Sequence, residues 1–290
     1  MKTKLSQLKE KGYCVFNQAL EKKVLGKIKR VSRQALEDLT IEHRKKNKSQ
    51  GSLILIADYP DLGILIGNEK LKEIFRILGF DDTRFSSGYI ISKPNNSPAL
   101  FWHQDWWGWD HPLSYTVQIA QVFVMIYLQD THPQNGCLRV IPRSHRSYHP
   151  LHLNQKAHTE SVSRVEDPND SIYNSLSEEV PVPVKCGDVI VGDARLIHGS
   201  FPNQSEDERT LITLWYHPHY NMLPRAMQSR ICEIFHRKGV DTDPDGEESM
   251  TLLKWPERFR QPIEALFPSC PEDSEPYPWC RIPSWSQSIK

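Results

Sequence analysis

His103 and Asp105 stand two residues apart in Phe101-Trp102-His103-Gln104-Asp105, at what reads as a strand edge. Successive strand side chains alternate sides, so a spacing of two points an imidazole and a carboxylate the same way. Such a pair can grip one metal ion, with a third ligand drawn from elsewhere. His198 is the best candidate, just beyond a predicted strand and flanked by glycine in Ile197-His198-Gly199-Ser200. Two histidines and one carboxylate on one face of an octahedron leave three positions open, which suits non-haem ferrous iron and oxygen activation. Arg209 follows His198 by eleven residues, across a turn, at the head of Arg209-Thr210-Leu211-Ile212-Thr213-Leu214-Trp215. A hairpin of that length brings both side chains to one cavity, where a guanidinium is a bidentate clamp for a carboxylate. Taken singly, each has an ordinary reading: a core histidine, a turn cap, a loop histidine, and an arginine answering Glu206, Asp207 and Glu208. The combination is what points to chemistry.

The elements that must position these residues change character along the chain. A short strand is predicted over Gly12 to Phe16, then an amphipathic helix from about Glu21 to His43, with Val24, Leu25, Ile28, Val31, Ala35, Leu36 and Leu39 on one stripe. The basic tract Arg44-Lys45-Lys46-Asn47-Lys48 reads as a solvated loop. A second helix is predicted from Glu69 to Leu78, capped by Asn68 and ended by Gly79. From about residue 84 short β-rich runs take over: Phe85 to Ser92, Tyr115 to Leu128, Leu138 to Ile141, Asp188 to Val191 and Thr210 to Tyr216. Helices followed by many short strands imply a β-sandwich or barrel with helices packed outside it. Residues 146–180 are polar and weakly patterned, as expected of a functional lid or a disordered insert. The segment beyond about 235, rich in Pro, Trp and charge, reads as an extended tail wrapping the core.

Composition excludes several classes of function. Lys plus Arg and Asp plus Glu number 36 each among 290 residues, so the formal net charge is zero, and the basic footprint of a nucleic-acid binder is missing. The longest apolar runs, Val122 to Leu128 and Leu53 to Ala57, fall far short of the roughly 20 residues of a membrane helix. The N-terminus has no apolar core for a signal peptide. Six scattered cysteines without a Cys-x-x-Cys pair suggest neither a disulfide framework nor a thiolate zinc site. A cytoplasmic protein with a small-molecule substrate, and with neither nucleic acid nor membrane as partner, is the expectation.

Four blocks, in order, resemble the phytanoyl-CoA dioxygenase family of iron- and 2-oxoglutarate-dependent oxygenases. They are Leu8 to Phe16 with Gly12-Tyr13; Trp102-His103-Gln104-Asp105; Asn135-Gly136-Cys137-Leu138 with Pro142-Arg143-Ser144-His145; and Gly187-Asp188 leading to His198-Gly199-Ser200 and Arg209. The resemblance covers residues 8 to about 216. It implies a mainly β fold with flanking helices around a double-stranded β-helix (jelly-roll, cupin-like) core. One dioxygenase domain would span 1–290, with helical support over 1–83, the core over 84–220 carrying the 146–180 insert, and a C-terminal extension over 221–290. It makes His103, Asp105 and His198 the iron ligands and Arg209 the partner of 2-oxoglutarate, with Ser200 and Trp109 as further co-substrate contacts. Fe(II), 2-oxoglutarate and O2 are the implied cofactors. The departure is Arg143, where the family usually has glycine.

Hydroxylation of an unactivated carbon in a small metabolite or natural-product intermediate, with succinate and CO2 as co-products, is the expected reaction. Asp105 disfavours halogenation, since related halogenases replace that carboxylate with a small residue. Trp106, Trp107, Trp109 and His111, directly after the metal motif, are candidates for a substrate-facing aromatic wall. His149, His152 and His158, without ligand spacing, read as surface residues. Two rival classes are a metal-dependent hydrolase on the same ligands, which gives no reason for Arg209, and a non-catalytic cupin-like binding module.

Overall fold

In the computed structural model, residues 2–236, 255–271 and 273–285 are described. Among the described residues ten strands form two antiparallel sheets: β1 (Tyr13–Phe16), β2 (Ile54–Leu55), β3 (Arg84–Lys93), β4 (Leu100–His103), β5 (Val122–Tyr127), β6 (Leu138–Val140), β7 (Val180–Val182), β8 (Val189–Asp193), β9 (His198–Ser200) and β10 (Arg209–His217). The six-stranded sheet has the order β1-β8-β5-β10-β3-β2 and the four-stranded sheet β4-β9-β6-β7. Helices α1 (Lys4–Lys11), α2 (Lys22–Glu37), α3 (Ile41–Lys46), α4 (Gly63–Ile66) and α5 (Glu69–Ile77) precede the main strands. Three more follow later, α6 (Glu160–Arg164), α7 (Arg225–His236) and α8 (Glu257–Glu264). This is the expected jelly-roll with flanking helices.

Strand parity sorts the core. All six residues of β5 are buried because both of its faces are covered. Val122, Val124 and Ile126 join Ile28, Leu62, Leu71 and other helical residues outside the large sheet. Phe123, Met125 and Tyr127 turn inward to meet Leu138, Val140 and Leu196 between the sheets. On β10 the same alternation sends Ile212, Leu214 and Tyr216 to the helices, leaving Arg209, Leu211, Thr213 and Trp215 on the interior face. The strand that carries the predicted carboxylate clamp therefore aims it between the sheets.

Several expectations are corrected. The long helix ends at Glu37 and restarts at Ile41, because Thr40 caps a new helix by accepting from the His43 N–H. The basic tract is in part the last turns of α3 rather than a solvated loop; Arg44 donates to the Gly51 and Ser92 carbonyls and pairs with Glu208 at 2.6 Å. The predicted run Tyr115 to Leu128 is a strand only from Val122. His198 opens β9 instead of lying beyond a strand. The N-terminal residues contribute β1 and β2 to the large sheet as well as helices. Cys232 and Cys270 form a disulfide that ties α7 to the C-terminal segment, so the cysteines are not all free thiols. Among the described residues no helix is long and apolar enough to cross a membrane.

Arg143 has φ +74°, the left-handed region that glycine occupies without strain. The turn is kept because its neighbours hold it: Arg143 N–H donates to Lys11 O, and Ser144 Oγ accepts from Ile197 N–H at 2.8 Å. Relief of the left-handed penalty, about 1–2 kcal/mol, exceeds the entropic cost of glycine, about 0.5–1 kcal/mol. Arg143→Gly is thus expected to leave denaturant stability equal or raised by up to about 1 kcal/mol.

Candidate active site

The turn between β8 and β9 is the platform of the site. Ala194 O accepts from both Asp105 N–H and Trp106 N–H, fixing the metal motif to this turn. Beside it Arg195 clamps Asp193 through Nη2 to Oδ2 at 2.7 Å and Nε to Oδ1 at 3.0 Å, with both side chains buried. The guanidinium also donates to the carbonyls of Ser114, Thr116 and Gln118. Burial pushes the Asp193 pKa up, but Arg195 and its hydrogen bonds outweigh that and hold the carboxyl below the usual range. Asp193→Asn leaves a buried guanidinium without its counter-charge. An unfolding loss of about 3–5 kcal/mol is expected in denaturant titration.

His103, Asp105 and His198 converge, with one ligand atom from each within 4.8 Å of the others. His103 Nε2 lies 3.7 Å from Asp105 Oδ1, and His198 Nε2 lies 3.8 Å from Asp105 Oδ2. The register sets this up, since His103 on β4 sits opposite His198 on β9. Each ring donates its Nδ1–H to a main-chain carbonyl, His103 to Phe101 O at 3.0 Å and His198 to Leu196 O at 2.9 Å. That fixes the tautomer and leaves both Nε2 lone pairs facing Asp105, as outer hydrogen bonds do around bound metals. Burial, with His198 and His158 nearby, keeps the His103 pKa well below its ordinary value, so the imidazole is in its ligating, neutral form. The His198 ring is backed by Phe123 at 4.8 Å between centroids. Gly192, opposite Phe123 in the register, makes room for it: a Cβ there would come within 2.0 Å of that ring.

Trp215 was not foreseen. Its indole N–H donates to Asp105 Oδ2 at 2.9 Å, orienting the carboxylate. Its parity with Arg209 on β10 was the available signal. Trp215→Phe keeps an aromatic ring and removes the donor. It should weaken ferrous-iron affinity by about 10–100-fold, measured by anaerobic titration against a chromophoric chelator.

Arg209 is 2% exposed, and its Nε and Nη1 have no hydrogen-bond partner among the described residues; the same holds for Ser200 Oγ. The guanidinium carbon lies 5.9 Å from the Tyr127 ring centre. Lys93, opposite Arg209 in the β3–β10 register, is wholly buried, and Arg209 and Arg139 help depress its pKa below the effect of burial. Its ammonium donates to the Ser49 and Pro98 carbonyls. A buried guanidinium with unmatched donors beside a second buried cation is costly unless an anion joins it. The donor set therefore fits a ligand with a carboxylate, and 2-oxoglutarate is such a ligand.

The aromatic wall does not form. Trp106, Trp107 and Trp109 are each at most 3% exposed and pack with Leu113, Tyr220 and Met227. Trp106 N–H donates to Ser114 Oγ, and none of the three lines the cavity that reaches His103. Adjacent residues after a metal motif need not share its face. That cavity, about 260 Å3, is roofed instead by residues 151–158 of the insert and by Arg281 and Ile282 of the tail. The insert contains α6 and short 3-10 turns. Buried Arg139 holds it through the carbonyls of Tyr173 and Asn174 and through Glu179. His152 is a buried residue, 2% exposed, which corrects its surface reading. His158 is an exposed residue, as read from the sequence, yet its ring stands 5.1 Å from that of His103. The tail is a cover: Cys280 N–H donates to Trp107 O, Trp109 N–H to Cys280 O and Gln104 Nε2 to Arg281 O. Residues 237–254 of the predicted tail lie outside the described residues.

A family model described as phytanoyl-CoA dioxygenase matches residues 8–211. A protein of Stutzerimonas stutzeri named a probable alpha-ketoglutarate-dependent hypophosphite dioxygenase is 24% identical over 205 residues, 67% of this chain and 69% of its own. Phytanoyl-CoA dioxygenase 1 of Oryza sativa subsp. japonica is 31% identical over 128 residues, 44% and 42% of the two chains. Ectoine dioxygenase of Sphingopyxis alaskensis is 24% identical over 208 residues, 65% and 64%. The matches to these last two span less than two thirds of the relatives' lengths. Among solved structures, HygX from Streptomyces hygroscopicus with nickel and 2-oxoglutarate bound has a TM-score of 0.55 at 19% identity, over 74% of this chain and 86% of its own. The carbocyclase SnoK from nogalamycin biosynthesis has a TM-score of 0.56 at 19% identity, over 74% and 83%. These two share the fold.

Proposed function

The chain belongs to the phytanoyl-CoA dioxygenase family, and from that premise we propose that it hydroxylates an unactivated carbon of a small metabolite at the site built on His103, Asp105 and His198. As a member it is an oxidoreductase, a 2-oxoglutarate-dependent dioxygenase taking ferrous iron and O2. In this reading His103, Asp105 and His198 would hold the iron, while Arg209 and Ser200 would bind the distal carboxylate of 2-oxoglutarate. When bound, iron and 2-oxoglutarate supply oxygen activation for hydrogen removal from carbon, with succinate and CO2 as co-products. One dioxygenase domain spanning the chain is part of the same proposal.

The observation that carries the reading is the coexistence of two unlike requirements in one interior. Two imidazole lone pairs and a carboxylate ask for a cation; unpartnered Arg209 and Ser200 donors ask for an anion. A hydrolase would need the first but leaves the second without purpose. The protein's own contribution is positional. Trp215 and the Ala194 carbonyl hold Asp105, main-chain carbonyls fix both imidazoles, and the insert and tail wall the cavity beside His103. A cavity of about 260 Å3, just below the roughly 300–1,000 Å3 of drug-sized ligand sites, favours a small molecule over an enclosed CoA thioester.

The test is an anaerobic visible spectrum of metal-free protein titrated with ferrous iron and then 2-oxoglutarate. Bidentate chelation by the keto acid should give a weak charge-transfer band. Iron demonstrably bound with no band on adding 2-oxoglutarate would overturn the reading.

A further inference from the structure

Among the described residues one disulfide, Cys232–Cys270, joins cysteines 38 positions apart, in the part of the chain that closes over the cavity. Cys232 lies in α7 at 3% exposure, whereas Cys270 is exposed between α8 and the tail. Burial pushes the thiols of Cys14 and Cys137 up to about 12 and about 11, which keeps them protonated and inert. α7 and the tail form one unit with the loop that follows the metal motif. Met227 and Ile231 of α7 pack with Trp106, Trp107 and Trp109. Tyr277 N–H donates to Ala226 O at 2.8 Å, Cys280 N–H to Trp107 O at 2.7 Å and Trp109 N–H to Cys280 O at 3.0 Å. Ser284 N–H donates to Tyr115 Oη at 2.7 Å. Arg281 and Ile282 of the same tail wall the cavity beside His103. A reduced Cys232 has a partner in place: Tyr220 Oη, which donates to Ser269 O at 2.9 Å, lies 3.6 Å from Cys232 Sγ and can accept from a thiol there.

We propose that Cys232–Cys270 is a redox-modified site: a dithiol reductant opens it, and the opened pair lets α7 and the tail part from the cavity they cover. Cys270 is the exposed partner and so the point of attack. A reductant thiolate bonds to its sulfur, the S–S bond breaks, and the Cys232 sulfur leaves and takes up a proton. The reductant's second thiol then displaces Cys270 from the mixed disulfide. Two electrons and two protons pass to the cystine, leaving two cysteine thiols and the disulfide form of the reductant. By loop-closure entropy, a cross-link over a loop of this length suppresses opening of the unit by up to about 10²–10³-fold. The tail's hydrogen bonds and packing survive reduction, so the cover is loosened and not lost. That its opening reaches a metal is the part of the inference that rests on the dioxygenase reading.

The test begins with full-length, metal-free protein isolated without reductant. Thiol titration in denaturant should find four free thiols, and six after reduction. Dithiothreitol added to the native protein should release the two new thiols without denaturant, and oxidised glutathione should restore the bond. Hydrogen exchange is then followed at the Tyr277, Cys280 and Trp109 amides. Reduction should speed it there at least about tenfold, while β5 and β8 keep their protection. Cys270→Ser, which cannot form the bond, should show the fast rates with or without dithiothreitol. In a second arm the protein is loaded with nickel(II). Transfer of the metal to a chromophoric chelator should be at least about tenfold faster from Cys270→Ser than from the oxidised wild type. Six thiols before reduction, a bond that dithiothreitol reaches only in denaturant, or tail amides unchanged by reduction would each overturn the inference. So would an acceleration shared equally by β5 and β8, which would make the disulfide a staple of the whole fold. Unchanged nickel transfer beside faster tail amides would overturn the opening toward the metal site. A wild type that binds no nickel would instead sink the metal-site reading, leaving the exchange arm to decide the inference.

Discussion

His198→Ala is expected to abolish turnover and the charge-transfer band formed with ferrous iron and 2-oxoglutarate. The substitution leaves His103 and Asp105 as a two-ligand set. Loss of an outer hydrogen bond around a metal already costs about 10–100-fold in affinity, and loss of a direct ligand should exceed that. The fold should survive, because His198 pairs with its neighbours through β9 main chain, which the substitution keeps, while its ring packs against His103 and Phe123. The expected result is a protein with wild-type circular dichroism, iron binding weakened beyond about 100-fold, and no succinate above background. A variant that keeps more than about a tenth of wild-type turnover, a barrier change under about 1.4 kcal/mol, would show that His198 is not a ligand.

Arg209→Met should act on the other half of the site, and with opposite signs in two measurements. Truncating one partner of a buried, hydrogen-bonded charge pair costs about 2–5 kcal/mol. Half-saturating 2-oxoglutarate should therefore rise by roughly 30-fold to several thousandfold, while iron affinity without 2-oxoglutarate stays unchanged. In the ligand-free protein the sign reverses. There the guanidinium is buried beside Lys93 with unmatched donors, and an apolar chain of similar length removes that penalty. Ligand-free Arg209→Met should be as stable as wild type or more so, and should lose the stabilisation that 2-oxoglutarate gives the wild type by mass action. A ligand-free variant that is several kcal/mol less stable would mean that Arg209 is a structural residue.

The parts of this molecule legible in sequence are those governed by short periods. A spacing of two placed His103 and Asp105 together, and the helix over Glu69–Ile77 followed from its stripe and the Asn68 cap. The break at Asp38 to Thr40 was signalled by the capping threonine, but the apolar stripe ran past it and concealed the restart. Trp215 was within reach through its parity with Arg209 on β10. Lys93 was a charged residue ending an apolar strand run, a signal that register alone converts into a neighbour of Arg209. The Cys232–Cys270 bond and the Arg281 contacts join residues far apart in sequence, and no local pattern encodes such pairings. Trp106 and Trp107 show the converse: composition suggested an aromatic wall, whereas the turn anchored at Ala194 directs them into packing behind the site.

The C-terminal cover also has a consequence in time. The last residue of the proposed metal and co-substrate set, Arg209, precedes Arg281 by 72 positions. At roughly 5–20 residues per second of synthesis, a nascent chain spends about 4–14 s with His103, Asp105, His198 and Arg209 already made and the segment that closes over them still unmade. Iron and 2-oxoglutarate then have an open approach that the finished molecule narrows. Order of synthesis puts the groups proposed for cation and co-substrate first and the tail residues that line the cavity last.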